Sequence, residues 1–362
     1  ASLVTGVCGD LLNVEKRTDF IEKLQADQKI IKQNYEKSGP IEIIPLDVAR
    51  QRPLAVAPAS LPAPQKLGVT VFEEIDLQAV ADIIDWTPFF VTWSLRGTFP
   101  KIFQSEQYGT VARDMFDAAQ VELAEIIRNK RAKLRGVCGL WSARKVGDDV
   151  EVYTDPTQQK ALGKFHFLRD QLVRRTTPQS RSLADLISDK PGDYLGAFAV
   201  SAGTEIETYA NSFKDIDPFR QILVQALADR LAEAGAEWMH REMRTKLWGY
   251  APKETLTVKE LIDEDYQGRR PAAGYPACPD HTEKAEIWRL LEVERRIHCS
   301  LTESFAMNPA ASVSGLYFGH PQSLYFDVDG IGRDQVADYA QRKKWSIAEA
   351  EKWLAPVLGY KT

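Results

Sequence analysis

The chain of 362 residues carries a formal net charge of -5, with 44% hydrophobic and 27% charged residues. These values predict one large or two smaller soluble globular domains, and they argue against membrane insertion and against nucleic acid as the main partner. The first residues, ASLVTG, do not resemble a signal peptide. They also lack an initiator Met, which suggests an excised fragment or a processed chain.

The N-terminal part of the chain divides at its prolines. Residues from about Val4 to Lys37 predict a helical segment, because apolar residues recur among many charges and Ser38-Gly39-Pro40 follows the last turn. Residues 40–66 hold several prolines separated by small apolar residues, which predicts a semi-extended strap. We therefore expect a helical tail or linker at residues 1–39, the proline-rich strap at 40–66, and the main domain at 67–362.

The main domain mixes β-prone and helical runs. Strands are predicted at Val69–Phe72, Gly136–Val146, Val150–Tyr153, Tyr194–Ala202 and, broken by His320-Pro321, within Leu316–Val328. Helices are predicted at Leu77–Ile84, Ala112–Arg135, Pro218–Gly249, Thr282–Glu294 and, as two short helices with Ser346 as a cap, within Gln335–Ala355. The absence of a regular βαβ rhythm predicts an α+β fold, with helices around a twisted, mainly antiparallel sheet.

Several familiar site patterns are missing from the sequence. The cysteines are scattered, at Cys8, Cys138, Cys278 and Cys299. Because no pair has C-x-x-C spacing, reduced thiols in the cytoplasm are the simplest interpretation. His281 follows Cys278 closely, but a metal site would need further ligands, so we predict none. No G-x-G-x-x-G or Walker-type loop is present, so neither a Rossmann-type nor a common methyltransferase fold is indicated.

One weaker candidate site precedes the most unusual segment. In DWTPFFVTWS, Asp85 stands at a helix break beside clustered aromatics, where a carboxylate could receive an ammonium or amide donor. The alternative is an N-cap followed by a buried aromatic strand.

The most informative segment is RPAAGYPACPDHTEK, residues 270–284. Its three prolines remove backbone donors, and Gly274 allows a bend or a close ligand approach. Arg270 offers a planar charged fork for a carboxylate, and Tyr275 adds an aromatic ring. The segment therefore predicts a ligand with a carboxylate and an aromatic part, although a proline-stiffened surface loop without a ligand remains open. A later string, SGLYFGHP, presents Tyr317 and Phe318 either as ring-stacking residues or as core.

These strings resemble the C-terminal activation domain of cobalamin-dependent methionine synthase, a 5-methyltetrahydrofolate–homocysteine methyltransferase. The anchors are DWTPFF, RPAAGYPACPDHTEK, SGLYFGHP and the terminal GRDQVADYAQRKKWSIAEAEKWLAP, in that order along nearly the whole chain. Ala273 stands where proline is common in the family. The N-terminal segment is similar to the tail of the cobalamin-binding domain that precedes the activation domain.

The resemblance implies a site for S-adenosylmethionine. Arg270 would clamp the methionyl carboxylate, and Asp85 would contact the amino group. The remaining implied residues are Ala272 and Gly274 through their backbones, Tyr275 near the sulfonium, the pocket-lining pair Tyr317 and Phe318, and the weaker Glu233 and Glu264. No residue is assigned with certainty to the chemical step.

The resemblance also implies the activity, which is reductive methylation of cob(II)alamin to methylcobalamin to reactivate methionine synthase in methionine biosynthesis. The implied partners are a cobalamin-binding domain, on the same or another chain, and a flavodoxin-like or flavoprotein electron donor. Signatures of the homocysteine, folate and cobalamin modules are missing, so the chain would not make methionine alone unless it works in trans. Two alternatives stay open: a protein-docking module without its own ligand, and a methyltransferase with another acceptor.

Overall fold

The computed structural model describes residues 7, 11–15, 17–37, 42–56, 61–173 and 178–361, with only the backbone for 33–37. The chain forms two compact units, Ala1–Glu42 with Trp86–Ala118 and Ile43–Asp85 with Ala119–Thr362. The described part of the strap therefore belongs to the second unit from residue 43 onward. The predicted domain limits at residues 39 and 66 stay a prediction.

Helices and strands alternate irregularly along the described residues. The helices are α1 Arg17–Lys37, α2 Leu46–Arg50, α3 Leu77–Ala81, α4 Thr87–Thr92, α5 Gly109–Arg128, α6 Thr204–Asn211, α7 Pro218–Glu242, α8 Val258–Ile262, α9 Lys284–Leu291, α10 Val293–Ile297, α11 Arg333–Lys343 and α12 Ile347–Leu354. The strands are β1 Gly68–Phe72, β2 Arg135–Val146, β3 Asp149–Tyr153, β4 Ala161–His166, β5 Asp193–Ser201, β6 Ser300–Leu301, β7 Met307–Asn308 and β8 Ser312–Tyr317. No helix of the described residues is long and apolar enough to cross a membrane.

A six-stranded antiparallel sheet organises the second unit. Its order is β4-β3-β2-β5-β8. Strand β1 lies on the same edge of β2 as β3: β1 pairs with the first half of β2, and β3 pairs with the second half. Strands β6 and β7 form a separate small hairpin. Every pairing between these strands is antiparallel, which confirms the predicted α+β fold with a mainly antiparallel sheet.

Helices cover both faces of this sheet. A Cβ at Gly136 of β2 would lie 2.4 Å from the sulfur of Met239 on α7, and one at Gly139 would lie 3.0 Å from Leu291 on α9. Because residues three apart on a strand point to opposite faces, α7 and α9 pack on opposite sides. Strand β5 is accordingly buried at every position after its first residue. This burial explains why it reads as a continuous apolar run rather than as an alternating one.

Most predicted elements are confirmed, and the errors concern where they end. The hairpin of β2 and β3 and the Ser346 cap, whose hydroxyl accepts from Glu349 N at 3.1 Å, are as predicted. Helix α5 ends before the predicted Arg135, because Lys130 adopts a left-handed φ of 49° and Arg131 N donates to Ile126 O at 2.9 Å. This capping geometry usually carries glycine, so a lysine at this position does not signal the end of a helix.

One further prediction of regular structure was wrong, and one alternative that the sequence had left open is excluded. The predicted strand pair within Leu316–Val328 ends after β8, and residues 319–330 are irregular. The aromatic string after Asp85 forms helix α4 rather than a strand, with Pro88 in its first turn. The part of the predicted tail helix before Val7, together with residues 8–10, lies outside the described residues.

The aromatic residues of the DWTPFF string build the core of the first unit. Trp86 and Phe116 meet edge to face at 4.9 Å between ring centroids, and Phe90 contacts Phe103 at 5.9 Å. Phe89 and Phe90 are fully buried. Edge-to-face contacts of this kind are the usual way in which buried aromatics pack. These rings therefore serve packing within their own unit.

Candidate functional site

The segment of residues 270–284 begins as a continuation of the sheet. Arg269 and Phe318 exchange two backbone hydrogen bonds of 2.9 Å, and Leu316 N donates to Pro271 O at 2.8 Å. A Cβ at Gly315 would lie 2.8 Å from Pro271 O, so this approach needs glycine. Two strings that are widely separated in the sequence, RPAAGYPACPDHTEK and SGLYFGHP, therefore lie side by side.

The centre of the segment is a tight turn with its own hydrogen bonds. Gly274 has a φ of 89°, and its N–H donates to Cys278 O at 2.7 Å, while Cys278 N donates to Tyr275 O at 2.8 Å. The His281 ring packs directly against the Cα of Gly274. Tyr275, 61% exposed, stands at the tip of the turn. The main-chain bonds offset part of the entropy cost of ordering a loop rich in proline.

The end of the segment is anchored by helix α11, the second-last α-helix of the described chain. Tyr339 donates to Asp280 Oδ2 at 2.6 Å, and Lys343 Nζ lies 2.5 Å from Glu283 Oε1. Asp280 also accepts from Thr282 N at 2.8 Å and so begins the short turn before α9. Burial raises the pKa of Glu283 in spite of the opposing charge of Lys343. The terminal string of the sequence thus holds the segment in place.

A cleft of about 980 Å³ opens beside this segment. Its walls include Arg270, Ala272 and Tyr275 from the segment, Glu233 from α7, and the β6–β7 hairpin. Cationic and acidic side chains both line it, which suits a ligand with charges of both signs.

Arg270 is held by three side chains that meet one of its nitrogens. Nη1 lies 2.6 Å from Glu237 Oε2, donates to the Tyr266 hydroxyl at 2.5 Å, and lies 3.4 Å from His240 Nδ1. Among the described residues, Nε and Nη2 have no hydrogen-bond partner. Burial acts to lower the pKa of Arg270, but Glu237, Tyr266 and Tyr325 together outweigh burial and raise the pKa above its ordinary value. The remaining edge of the guanidinium can therefore bind a ligand carboxylate through two parallel hydrogen bonds.

His240, which contacts Arg270, makes the stability of the folded protein depend on pH. It is fully buried, and burial, followed by the charges of Arg244, Arg270 and Arg269, holds its pKa well below 6.5. The unfolded chain takes up a proton below pH 6.5 while folded His240 stays neutral, so stability is lost as the pH falls. The loss is about 1.4 kcal/mol per pH unit.

We expect wild type to lose about 2 kcal/mol more than His240→Asn between pH 6.5 and pH 5, because the variant lacks the titrating ring. Urea unfolding curves of both proteins across this range measure the difference. Equal losses in the two proteins would show that His240 is not kept neutral by the fold.

The predicted aromatic pair, Tyr317 and Phe318, lies in the core, and other aromatic residues line the cleft. Tyr317 is 1% exposed and stacks between Phe198, at 4.6 Å, and His240, at 5.1 Å. Phe318 is fully buried, and neither residue lines the cleft. Where β8 pairs with β5, the Tyr317 ring therefore lies in the core rather than on the cleft wall. Tyr325 and Phe326 line the cleft instead.

Some of the other predicted site residues line the cleft, and others lie away from it. Arg270, Ala272, Tyr275 and Glu233 line the cleft, and Gly274 shapes the turn between Ala272 and Tyr275. Glu264 lies away from the cleft wall, where its carboxylate is 3.5 Å from Arg269 Nε. Asp85 is half-buried at the junction of α3 and α4 and is not among the residues that line the cleft.

A basic pair that was not predicted from the sequence, Lys284 and His281, also lines the cleft. Lys284 is 6% exposed, and its Nζ lies 3.0 Å from His281 Nδ1 and donates to Phe305 O at 3.1 Å. Burial lowers the pKa of both Lys284 and His281. In the described ranges, no group of three or more His, Cys, Asp or Glu side chains is placed to hold a metal ion.

The comparisons with known proteins agree with this geometry. The sequence model of the family described as vitamin B12 dependent methionine synthase, activation domain, matches residues 76–344, well over half of the chain. The chain belongs to this family. A solved structure described as the MetH reactivation domain bound to AdoHcy is 47% identical in sequence, with a TM-score of 0.85. The match covers 89% of this chain and 100% of that chain.

Family membership confirms the resemblance on which the sequence analysis relied. The matched range begins at residue 76, just before α3, and ends at residue 344, just after α11. It therefore contains the Asp85 string, the whole of residues 270–284 and the SGLYFGHP string. This chain is therefore an activation domain, which is one part of a cobalamin-dependent methyltransferase.

Proposed function

We propose that this chain binds S-adenosylmethionine in the cleft and supports reductive methylation of cob(II)alamin, which reactivates methionine synthase. The observation that carries the proposal is the Nε and Nη2 edge of Arg270, which has no partner in the described part of the chain and lies on the wall of a cleft with charges of both signs. Membership in the activation-domain family and a relative that was solved with AdoHcy support it.

Each part of the ligand is assigned to residues according to where they lie relative to the cleft. Arg270 binds the methionyl carboxylate with the Nε and Nη2 edge. Tyr325 and Phe326, rather than Tyr317 and Phe318, form the aromatic wall against the adenine. The backbones of Ala272 and Gly274 supply further hydrogen bonds. The predicted contact of Asp85 with the amino group remains part of the proposal.

The main task of the protein in this reaction is to position the reacting groups. The methyl carbon is bound to a sulfonium, which is a good leaving group, so no general base is required. One electron reduces cob(II)alamin, the methyl group passes from sulfur to cobalt, and S-adenosylhomocysteine leaves as a neutral thioether. The protein aligns the methyl group with the acceptor and excludes water. Exposed Tyr275, at the tip of the turn, is the residue we place nearest the sulfonium.

The proposed partners follow from the acceptor. A cobalamin-bearing domain, on the same or another polypeptide, docks over the cleft, and a flavodoxin-like or other flavoprotein supplies the electron. The complete reaction that forms methionine from homocysteine and 5-methyltetrahydrofolate belongs to the whole synthase, of which this chain supplies the reactivation step. The free thiols Cys138, Cys278 and Cys299 support a cytoplasmic setting.

The test is methyl transfer in a reconstituted mixture. The chain is incubated with S-adenosylmethionine, a cobalamin-bearing domain of a methionine synthase and a flavoprotein reductant, and the visible spectrum reports formation of methylcobalamin. We expect methylcobalamin only when the chain is present. Ligand binding without cobalt methylation would favour a methyltransferase with another acceptor. Absence of ligand binding would favour a docking module.

A further inference from the structure

Resting on the proposed function, we infer that Glu237 is a positioning residue that fixes the carboxylate-binding edge of Arg270. Glu237 lies on α7, one helical turn beyond Glu233, and is 7% exposed. The sequence did not single it out, because a glutamate on a long helix is usually solvated. In the fold it lies behind Arg270 rather than at the surface.

Glu237 holds Arg270 through a closed triangle of polar contacts. Its Oε2 lies 2.6 Å from Arg270 Nη1 and accepts from the Tyr266 hydroxyl at 3.0 Å. The same hydroxyl accepts from Arg270 Nη1 at 2.5 Å. Because both contacts to Arg270 meet Nη1, they leave Nε and Nη2 for a ligand, and the bond between Tyr266 and Glu237 helps to restrict rotation of the guanidinium plane.

The carboxylate of Glu237 is itself fixed from the other side. Its Oε1 lies 3.5 Å from Nη1 of Arg244, a fully buried residue. Arg244 in turn makes bonds of 2.8 Å and 2.7 Å from Nε and Nη2 to the two oxygens of Glu254, and its guanidinium lies 3.8 Å above the Tyr266 ring. Two arginines and two glutamates thus form a desolvated, charge-balanced group that reaches the cleft only through Arg270.

Removal of Glu237 has two opposing consequences for a bound carboxylate. The site gains positive charge, which strengthens attraction, but the guanidinium loses the contacts that orient it. A two-bonded pair between guanidinium and carboxylate depends on alignment, and a mispositioned binding group loses most of its advantage. We therefore expect the loss of orientation to dominate. The effect should appear only with ligands that carry the carboxylate.

The experiment compares two ligands by calorimetric titration. S-adenosylhomocysteine carries the amino-acid part, and 5′-methylthioadenosine has the same nucleoside thioether without it. In Glu237→Gln we expect the affinity for S-adenosylhomocysteine to fall roughly tenfold or more, and that for 5′-methylthioadenosine to stay within about twofold. Glu242→Gln is the matched control, because Glu242 is on the same helix and pairs with Lys246. It should change neither affinity.

A double-mutant cycle tests whether Glu237 acts through Arg270. In an Arg270→Ala background, Glu237→Gln should cause no further loss of S-adenosylhomocysteine affinity. Tyr266→Phe removes one side of the triangle without removing a charge, so it gives a second test if Glu237→Gln fails to fold. It should cause a smaller loss that again depends on the carboxylate.

The outcomes separate this inference from the proposed function. Equal losses for the two ligands, or an unchanged affinity for S-adenosylhomocysteine in folded Glu237→Gln, would overturn the positioning role alone. If only Tyr266→Phe folds, the same two results with that variant would overturn it. Wild type that binds neither ligand would overturn the proposed function and, with it, this inference.

Discussion

Arg270→Ala is expected to lower the affinity of the chain for S-adenosylmethionine by roughly 100-fold, which corresponds to about 2.7 kcal/mol. The variant removes a buried, charge-assisted clamp from the cleft wall and leaves Glu237 without the partner that now lies 2.6 Å away. Calorimetric titration measures the affinity, and thermal unfolding establishes that the variant is folded.

Two variants give this prediction its controls. Arg269 is the adjacent arginine, but its guanidinium bonds the backbone carbonyls of Tyr266 and Gly268, so Arg269→Ala should keep the affinity within about threefold. Arg270→Lys keeps the charge without the planar fork and should fall between wild type and Arg270→Ala. An affinity of Arg270→Ala within twofold of wild type would show that the clamp lies elsewhere.

Gly274→Ala is expected to lower the free energy of unfolding by about 3 kcal/mol and to weaken ligand binding as well. Alanine at a φ of 89° is strained, and its Cβ would lie 2.1 Å from Cε1 of His281. The turn cannot relax easily, because Gly274 N bonds Cys278 O and the Cys278 amide bonds Tyr275 O. Chemical denaturation of the variant and wild type measures the change.

Gly147→Ala separates backbone strain from the steric clash. Gly147 has a φ of 66°, but a Cβ there would meet nothing within 4 Å, so the cost should be only about 1 kcal/mol. His281→Ala, combined with Gly274→Ala, removes the ring that causes the clash and should recover part of the loss. If Gly274→Ala costs no more than Gly147→Ala, the packing of His281 against the turn does not constrain it.

Features whose information is local could be predicted from the sequence. The turn at Gly147 joins β2 and β3 as expected, and Ser346 caps α12, since each depends on a few adjacent residues. The importance of residues 270–284 was also visible, because three prolines, a glycine and an arginine in one segment suit few roles other than binding. Family resemblance then supplied the ligand, which local chemistry alone left open.

Features that depend on tertiary pairing could not be predicted. Tyr317-Phe318 and Tyr325-Phe326 have the same composition, and only the tertiary fold, with β8 paired to β5, decides which pair lines the cleft. Similarly, Glu237 reaches Arg270 across 33 positions of the sequence, and no short pattern joins them. The end of α5 at a left-handed lysine was missed because that conformation is usually signalled by glycine.

The most direct test of the central claim is a crystal structure of this chain with S-adenosylhomocysteine. The account predicts that the ligand lies in the cleft, with its carboxylate on the Nε and Nη2 edge of Arg270 and its adenine against Tyr325 and Phe326. Ligand bound at another surface with this cleft empty, or a carboxylate that does not contact Arg270, would contradict it.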